Sequence, residues 1–523
     1  KATLLCLPSP SNLLLLIKSP SNIKMHQSSL HLLRMGDDGR PFDKDFKDIF
    51  STLIVSLLPL SAHRVRLTKV EYTFLSQNAI SNLMYLKFTQ SNRLPDPKDS
   101  SRIINTTTAI TFSMSKEVAR SICQCFVDAR LIESADGKHQ QVYTIKGSVW
   151  QLTPKGITIL DRFCARNGIQ KKQVSELVNL KATRLVLLER DLQTDKLHYD
   201  QGTIEIVFRR LIGADSCNAM SSVAAADSSS ILEYRDSITE VKPSADLKAN
   251  GKIYNDTFPG KAIIDWLMNY TTIMEEREAV AVATRFMDYN LIDRVTKDRA
   301  YTFQNSAAGN NIFHFSKHAF YQLTQRSKRL INGSSSPRQS LEREHYTSYQ
   351  RNSIFMDSNT QRLDKILTDP SVRLLFREQS RDTYCEENLT FYQDVDEFIR
   401  NSKAATRAAR KELNMTTKAG INDSIAQAYR IYHAFLASGS PCELNIDHQL
   451  RNSLTTRMSK AVSQDATIID TVEEVIFLFE EAQEVVFKLM ASDLVPKFLS
   501  NPKYQQKLRT HNFGVVGKGP QWE

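Results

Sequence analysis

The chain has 523 residues, 41% hydrophobic and 24% charged, which exceeds what one hydrophobic core can hold and predicts three or four folded parts of ordinary soluble composition. A formal net charge of +10 favours an acidic partner surface, and it fits anionic lipid, nucleic acid or an acidic protein equally well. The longest N-terminal apolar run, Leu13 to Ile17, is fenced by Pro8, Pro10 and Pro20 and falls far short of the ~18 apolar residues of a membrane span, so any membrane contact is expected to be peripheral.

The seven cysteines are scattered, odd in number and contain no Cys-x-x-Cys pair, which predicts a reducing, cytoplasmic setting. The chain opens on Lys1, and residues 1–40 are expected to be disordered or atypical.

The first periodic region spans 41–168. Phe42, Phe46, Ile49, Phe50, Leu53 and Leu57 recur at helical steps and stop before Pro59. A second helix is expected over 115–129. Val142 to Ile145 and Val149 to Leu152 then predict two strands of a hairpin around Lys146-Gly147-Ser148. Helices followed by a hairpin describe a small winged-helix-like α+β module.

The second region spans 203–324. Ile204, Ile206, Val207 and Leu211 open it, and a Ser-rich insertion is expected at about 213–245 before patterning resumes at Phe258. Phe126-x-Asp128-x-x-Leu131-Ile132 reappears as Phe286-x-Asp288-x-x-Leu291-Ile292, and Ala119 reappears as Ala279, all offset by the same 160 residues. Each copy ends a helix and precedes a strand-rich stretch, so a duplicated module is expected. Residues 325–358 read as a basic, Ser-rich linker that could meet lipid headgroups or accept phosphate.

The third region, 360–508, is almost purely helical. Apolar stripes run through Phe391, Val395 and Phe398, through Ile425 to Leu436, through Leu450, Leu454 and Met458, and from Val472 to Met490; together they predict a bundle. Lys403, Arg407, Arg410 and Lys411 mark 401–422 as an insertion between helices, and 509–523 is a tail.

Motifs for self-contained catalysis are missing. Gly514 to Gly519 lacks the Gly-Lys-Ser/Thr ending of a phosphate loop, and the histidines form no metal-binding pattern. No cofactor and no metal is expected, and an enzyme with its own substrate pocket is disfavoured.

Polar residues instead collect at helix ends of the third region: Tyr384 to Leu389, Glu443 to Asp447, and Phe479 to Gln483 leading to Asp493. Singly, each reads as a helix cap. In this order and at these spacings they resemble the regulator-of-G-protein-signalling domain, from Leu363 to Tyr504. The resemblance implies a nine-helix domain that grips the switches of a GTP-bound heterotrimeric α subunit and accelerates hydrolysis without supplying a reacting group. It also implies a set of α-subunit contacts: Glu387, Asn388, Asn445, Leu489, Asp493, Leu494 and Lys497. Leu494 and Lys497 depart from the commonest pattern, since many members have a small polar residue and an arginine there, and lysine lacks the planar fork.

Thr257 to Leu267 with Arg277 to Val280 and Asn290 to Ile292 resemble the DEP domain, in which Phe258 and Trp266 are expected in the core. The first region is similar to a divergent second copy. DEP modules imply docking to receptor C-terminal tails and to anionic lipid, and hence a place at the inner face of the plasma membrane. Leu67 to Phe74 with Pro95 to Asp99 resemble the filamentous-fungal FlbA group, which implies control of vegetative growth against asexual sporulation. A non-catalytic scaffold keeps the same fold. A winged-helix DNA binder is the remaining reading, but 115–129 carries only Lys116 and Arg120, so no nucleic-acid partner is expected.

Overall fold

The computed structural model describes residues 28–29, 34, 36, 40–96, 99–137, 141–145, 147–213, 241, 247–249, 252–254, 257–296, 313–332, 358–412, 414–460 and 468–510. The expectations for 1–27, for nearly all of the 213–245 insertion, for 333–357 of the linker and for 511–523 lie outside them. The chain divides into two units, which are taken one at a time: residues 1–182, 191–196 and 385–487 form the first, and 183–190, 197–384 and 488–523 the second.

The first unit begins with helix α1 (Asp43–Leu57), whose inward stripe holds Phe46, Ile49, Phe50 and Leu53. Strands β1 (Ser61–Val65) and β2 (Thr68–Leu75), helix α2 (Ser76–Met84), the long hairpin β3 (Tyr85–Asp96) and β4 (Asp99–Ser113), and helix α3 (Lys116–Asp128) follow. Ser115 caps α3 by accepting from the Val118 amide at 3.3 Å. The helix stops at Arg130, which takes the left-handed conformation (φ 57°) so that the Leu131 N–H returns to the Phe126 carbonyl. Strand β5 (Ile132–Ser134) and strand β6 (Val149–Leu152) complete an antiparallel sheet of order β1-β2-β6-β5.

The partner of Val149–Leu152 in the hairpin is therefore Ile132–Ser134, and not 142–145 as the sequence suggests. Tyr143 leaves the sheet edge to stack on Trp150, with ring centroids 4.8 Å apart, and both rings are buried. Its hydroxyl donates to the Ser76 carbonyl at 3.2 Å, and the Trp150 Nε1–H donates to Ser76 Oγ at 2.8 Å. Burying that aromatic pair with both polar tips satisfied outweighs one more strand at an edge.

Thr153 and Pro154 then start helix α4 (Pro154–Arg166), with Thr153 accepting from the Gly156 amide at 3.0 Å. Gly156 has no room for a Cβ, because a methyl there would drive into the Leu131 carbonyl. Helix α5 (Lys172–Lys181) closes the module.

The same unit holds the middle of the helical region. Helix α12 (Glu386–Lys411, numbered in chain order) runs 26 residues without a break, and α13 (Met415–Ile431) packs along it. The expected insertion at 401–422 is thus a lengthening of two helices. Ala404, Ala405, Ala408 and Ala409 favour helix, and Ser402, Thr406 and Ala409 are buried along its inner face. A π-helical turn (Tyr432–Leu436), α14 (His448–Lys460) and α15 (Ile468–Leu489) complete the bundle, with Phe391 against Phe435 at 5.6 Å and Phe398 against Phe479 at 5.1 Å.

The second unit repeats the small α+β pattern. Helix α6 (Gln201–Leu211), strands β7 (Leu247–Ala249), β8 (Lys252–Tyr254) and β9 (Thr257–Pro259), helices α7 (Gly260–Tyr270) and α8 (Glu276–Asp288), and strands β10 (Ile292–Thr296) and β11 (Phe320–Leu323) build it, with a sheet of order β9-β11-β10. Phe258 and Trp266 are buried, at 1% and 3% exposed. Helix α9 (Gln325–Asn332) follows directly, so the start of the expected linker is helical and belongs to the module.

Helices α10 (Asn359–Thr368) and α11 (Pro370–Asp382), a second π-helical turn (Met490–Leu494), α16 (Val495–Ser500) and α17 (Pro502–Thr510) belong to this unit as well. Phe376, Phe498 and Tyr504 form their core. Arg210 of α6 pairs with Glu378 of α11, Arg184 with Asp382 at 2.5 Å, and Arg373 Nε donates to Glu189 at 2.8 Å. The largely buried pairs Arg210–Glu378 and Arg373–Glu189 fix a geometry more than they add stability.

Candidate functional site

Of the seven positions singled out from the sequence, three lie in the first unit and four in the second, where Leu489, Asp493 and Leu494 lie on or next to a π-helical turn. Glu387 and Asn388 stand in the opening turn of α12. Asn388 is only 7% exposed, and its amide donates to the Cys385 carbonyl and to Glu387 Oε1, each at 3.3 Å. Asn388 therefore works first as an internal brace of the helix start. Burial, reinforced by neighbouring Glu386, pushes the half-buried Glu387 carboxyl above its usual range.

Asn445 sits in the loop between the first π-helical turn and α14. Leu444 and Ile446 on either side are buried, and Asn445 itself is exposed. The loop is tied down locally: the Leu444 N–H donates to the Phe435 carbonyl at 2.9 Å, and the Cys442 N–H to Ala434 at 3.0 Å. Glu443 accepts from the Gly439 amide at 2.9 Å and pairs with Arg451, whose hydrogen bond holds the Glu443 carboxyl below the usual range. Asp447 then accepts from the Gln449 amide at 2.8 Å and starts α14. An exposed side chain carried by a loop bonded at both ends is presented in one place.

In the second unit, Leu489 is half-buried and precedes the π-helical turn that carries Asp493 and Leu494. Asp493 is exposed and pairs with Lys497 one turn later, Nζ to Oδ2 at 2.9 Å. Leu494 is 2% exposed. A surface contact by Leu494 is a sequence expectation that the structure corrects. Leu494 continues the buried stripe of Phe479, Ala482, Val486 and Met490 at three- and four-residue steps, so it faces the core. Tyr384, in a left-handed turn (φ 55°), stands outside the implied contact set, yet the residue is 93% exposed.

Residues of the small module also reach the helical bundle within the first unit. Arg162 on α4 donates to both oxygens of Glu386, at 2.7 and 3.2 Å, and Arg166 pairs with Asp394. Lys44 Nζ meets Glu397 Oε2 at 3.0 Å. Burial alone would raise the Glu397 carboxyl, but Lys44, Arg34 and Arg166 together hold it below its usual range. Arg162 and Arg166 stand four apart on α4, a signal present in the sequence, but nothing there names their carboxylate partners more than two hundred positions away.

Comparison with known proteins places these features. Residues 362–507 match the Regulator of G protein signaling domain, and residues 243–323 the Domain found in Dishevelled, Egl-10, and Pleckstrin (DEP). Residues 45–180 match a Fungal-differentiation regulator winged helix domain. Over 505 residues the chain is 50% identical to the Developmental regulator flbA of Emericella nidulans, covering 95% of this chain and 68% of that one. The chain belongs to the flbA family of fungal regulators of G-protein signalling.

The regulator is also 25% identical over 475 residues to Regulator of G-protein signaling 1 of Schizosaccharomyces pombe, covering 90% of this chain and 92% of that one. Regulator of G-protein signaling 16 of Bos taurus is 30% identical over 142 residues, 27% of this chain and 55% of that one. The protein is a GTPase activator for a heterotrimeric G-protein α subunit and a regulator of fungal development. The matches correct one expectation: a single DEP domain is found, and the span expected to be a second copy is the fungal winged helix.

Proposed function

We propose that the regulator acts on the GTP-bound α subunit by holding its switches in the shape of the transition state for attack by water. In the first unit Glu387 and Asn445 contact the α subunit, and Asn388 supports them from inside. In the second Leu489, Asp493 and Lys497 do so, with the exposed Tyr384, and Leu494 packs beneath. None of these groups bonds to the reacting phosphate. The gain is preorganisation of dipoles and charges around another protein's active site, so the regulator is no enzyme in its own right. The observation that carries this reading is the exposed Asn445 on a loop bonded at both ends, inside the span that matches the regulator domain.

The DEP module brings this surface to the cytoplasmic face of the plasma membrane through a receptor C-terminal tail and anionic lipid; the formal charge of +10 supports the second contact. Among the described residues no helix is long and apolar enough to cross a membrane. Turning off the α subunit there shifts the fungus from vegetative growth to asexual sporulation.

Single-turnover hydrolysis by an α subunit loaded with GTP tests the central claim. Added regulator at saturation is expected to speed phosphate release by orders of magnitude. An unchanged rate while the two proteins form a complex would leave only a scaffold.

A further inference from the structure

The winged-helix module touches the bundle beside the residues assigned to the α subunit, and the contact has a definite shape. Arg162 and Arg166 lie on one face of α4, and Glu386 and Asp394 lie two turns apart on one face of α12, so the end of α4 grips the first turns of α12 at two points. Glu386 directly precedes Glu387. Past the end of α4 the chain turns at Gly168 (φ 64°), where a methyl group would come within 2.8 Å of Pro441 Cγ. Cys442 Sγ lies 3.9 Å from the Ala165 carbonyl. Pro441 and Cys442 belong to the loop that presents Asn445.

From these contacts we infer that the winged-helix module is a working part of the GTPase-activating surface. Through Arg162, Arg166 and Gly168 it positions the start of α12 and the Asn445 loop. This rests on the proposed mode of action, since a loop need only be held if its tip must meet a switch in one geometry.

Two observations favour a brace over a plug. The module meets the loop at Pro441 and Cys442 and leaves Asn445 exposed to solvent. The opposite side of the loop is already tied to the bundle through the Ala434 and Phe435 carbonyls. The loop is thus held from two sides with its tip free. A second strap, Lys44 and Arg34 on Glu397, fixes the module further along α12. Arg162, Arg166 and Gly168 are positioning residues, because they act through α12 and the loop.

The test uses the full chain and single-turnover GTP hydrolysis by the α subunit, reading the maximal rate and the half-saturating concentration separately. Hydrogen exchange over 437–447 is followed in parallel. The double variant Arg162→Gln with Arg166→Gln is expected to lower the maximal rate about tenfold, with faster exchange in 437–447 and unchanged protection in α13 and α15. The exchanged pair Arg166→Asp with Asp394→Arg is expected to recover most of the rate. Gly168→Val attacks the same loop without a charge change and should mimic the double variant.

A double variant that loosens the loop yet keeps the full maximal rate would overturn the inference. A faster rate would overturn it too, since the module would then be a plug. Should the double variant fail to fold, a folded Gly168→Val variant with the wild-type maximal rate overturns it equally. A wild-type chain that gives no acceleration defeats the proposed function itself, and the exchange data still report on the brace.

Discussion

The winged-helix module and the DEP module share a frame and differ in what they do with its edge. In the first, Phe50 of α1 meets Phe126 of α3 edge-on at 5.3 Å; in the second, Phe208 of α6 meets Phe286 of α8 edge-on at 5.3 Å. Both helices end in a left-handed residue, Arg130 or Asn290, with the next N–H returning five residues back to that phenylalanine's carbonyl. In both a threonine hydroxyl at the end of the last strand donates to the left-handed residue's carbonyl at 2.6 Å, from Thr153 or Thr324. The helix after that threonine is where they part. In the winged-helix module it has 13 residues and carries Arg162 and Arg166; in the DEP module it has eight and carries neither. Burial and capping preserve a frame, and the outward face of the helix behind it is free to acquire a partner.

The largest effect that tests this likeness comes from its shared centre. Phe126→Ala and Phe286→Ala each delete a fully buried ring, and each is expected to cost about 3–5 kcal/mol. Because the two rings sit in matching environments, the two costs should agree within about 1 kcal/mol. Denaturant unfolding followed by hydrogen exchange in each unit measures them, and a twofold disparity would break the comparison.

Acid should separate the two units next. His433, in the first π-helical turn, is 8% exposed, and burial lowers its ring from the usual 6.5 to about 4. Below pH 6.5 an unfolded chain binds a proton that the folded ring refuses. Stability is therefore lost as the pH falls from about 6.5 and levels off below about 4. The full shift corresponds to at most about 3 kcal/mol. His433→Phe should abolish that part of the pH dependence in the first unit, read as the difference in urea midpoint between pH 7 and pH 4.5. Equal slopes in the variant and the wild type would remove His433 from the account.

The smaller echo in the frame is the left-handed residue. That conformation costs an ordinary side chain about 1–2 kcal/mol and an asparagine less. Arg130→Gly is expected to stabilise the first unit by up to about 1 kcal/mol, and Asn290→Gly the second by only a few tenths, about 0.3 kcal/mol. Urea midpoints decide this, and equal gains would show that the two turns are not under the same strain.

What could be read before the structure follows the same division. The repeat of Phe-x-Asp-x-x-Leu-Ile was legible because burial and a helix stop act on residues close in sequence. The apolar stripes of the bundle were legible for the same reason. The strand partner of Val149–Leu152 was not, since alternation reveals a strand and not its neighbour, and the demand of Tyr143 for a stacked place beside Trp150 is tertiary. Residues 401–422 extend two helices because Ala404, Ala405, Ala408 and Ala409 favour helix despite the charges around them, and charge alone does not reveal that. The burial of Leu494 was legible in its four-residue step from Met490 and three-residue step from Ala491, and its surface role came from the resemblance alone. The reach of Arg162 and Arg166 to Glu386 and Asp394 belongs to the packing of distant segments and has no local signature.

The smallest change in stability should carry the largest contrast in function, and it lies between two asparagines. Asn388 is buried and bonded to its own helix start; Asn445 is exposed between two buried neighbours. Asn388→Ala removes a brace of the kind that caps a helix and should cost about 1 kcal/mol. Asn445→Ala touches no buried contact and should cost less than about 0.5 kcal/mol. Single-turnover hydrolysis at saturating regulator should reverse the order: Asn445→Ala is expected to lose roughly ten- to hundred-fold of the acceleration, in the range of one preorganised hydrogen bond, and Asn388→Ala far less per folded molecule. An Asn445→Ala protein that melts early but activates normally would make Asn445 the structural residue of the pair, and the loop that the winged helix holds would then be held for some other purpose.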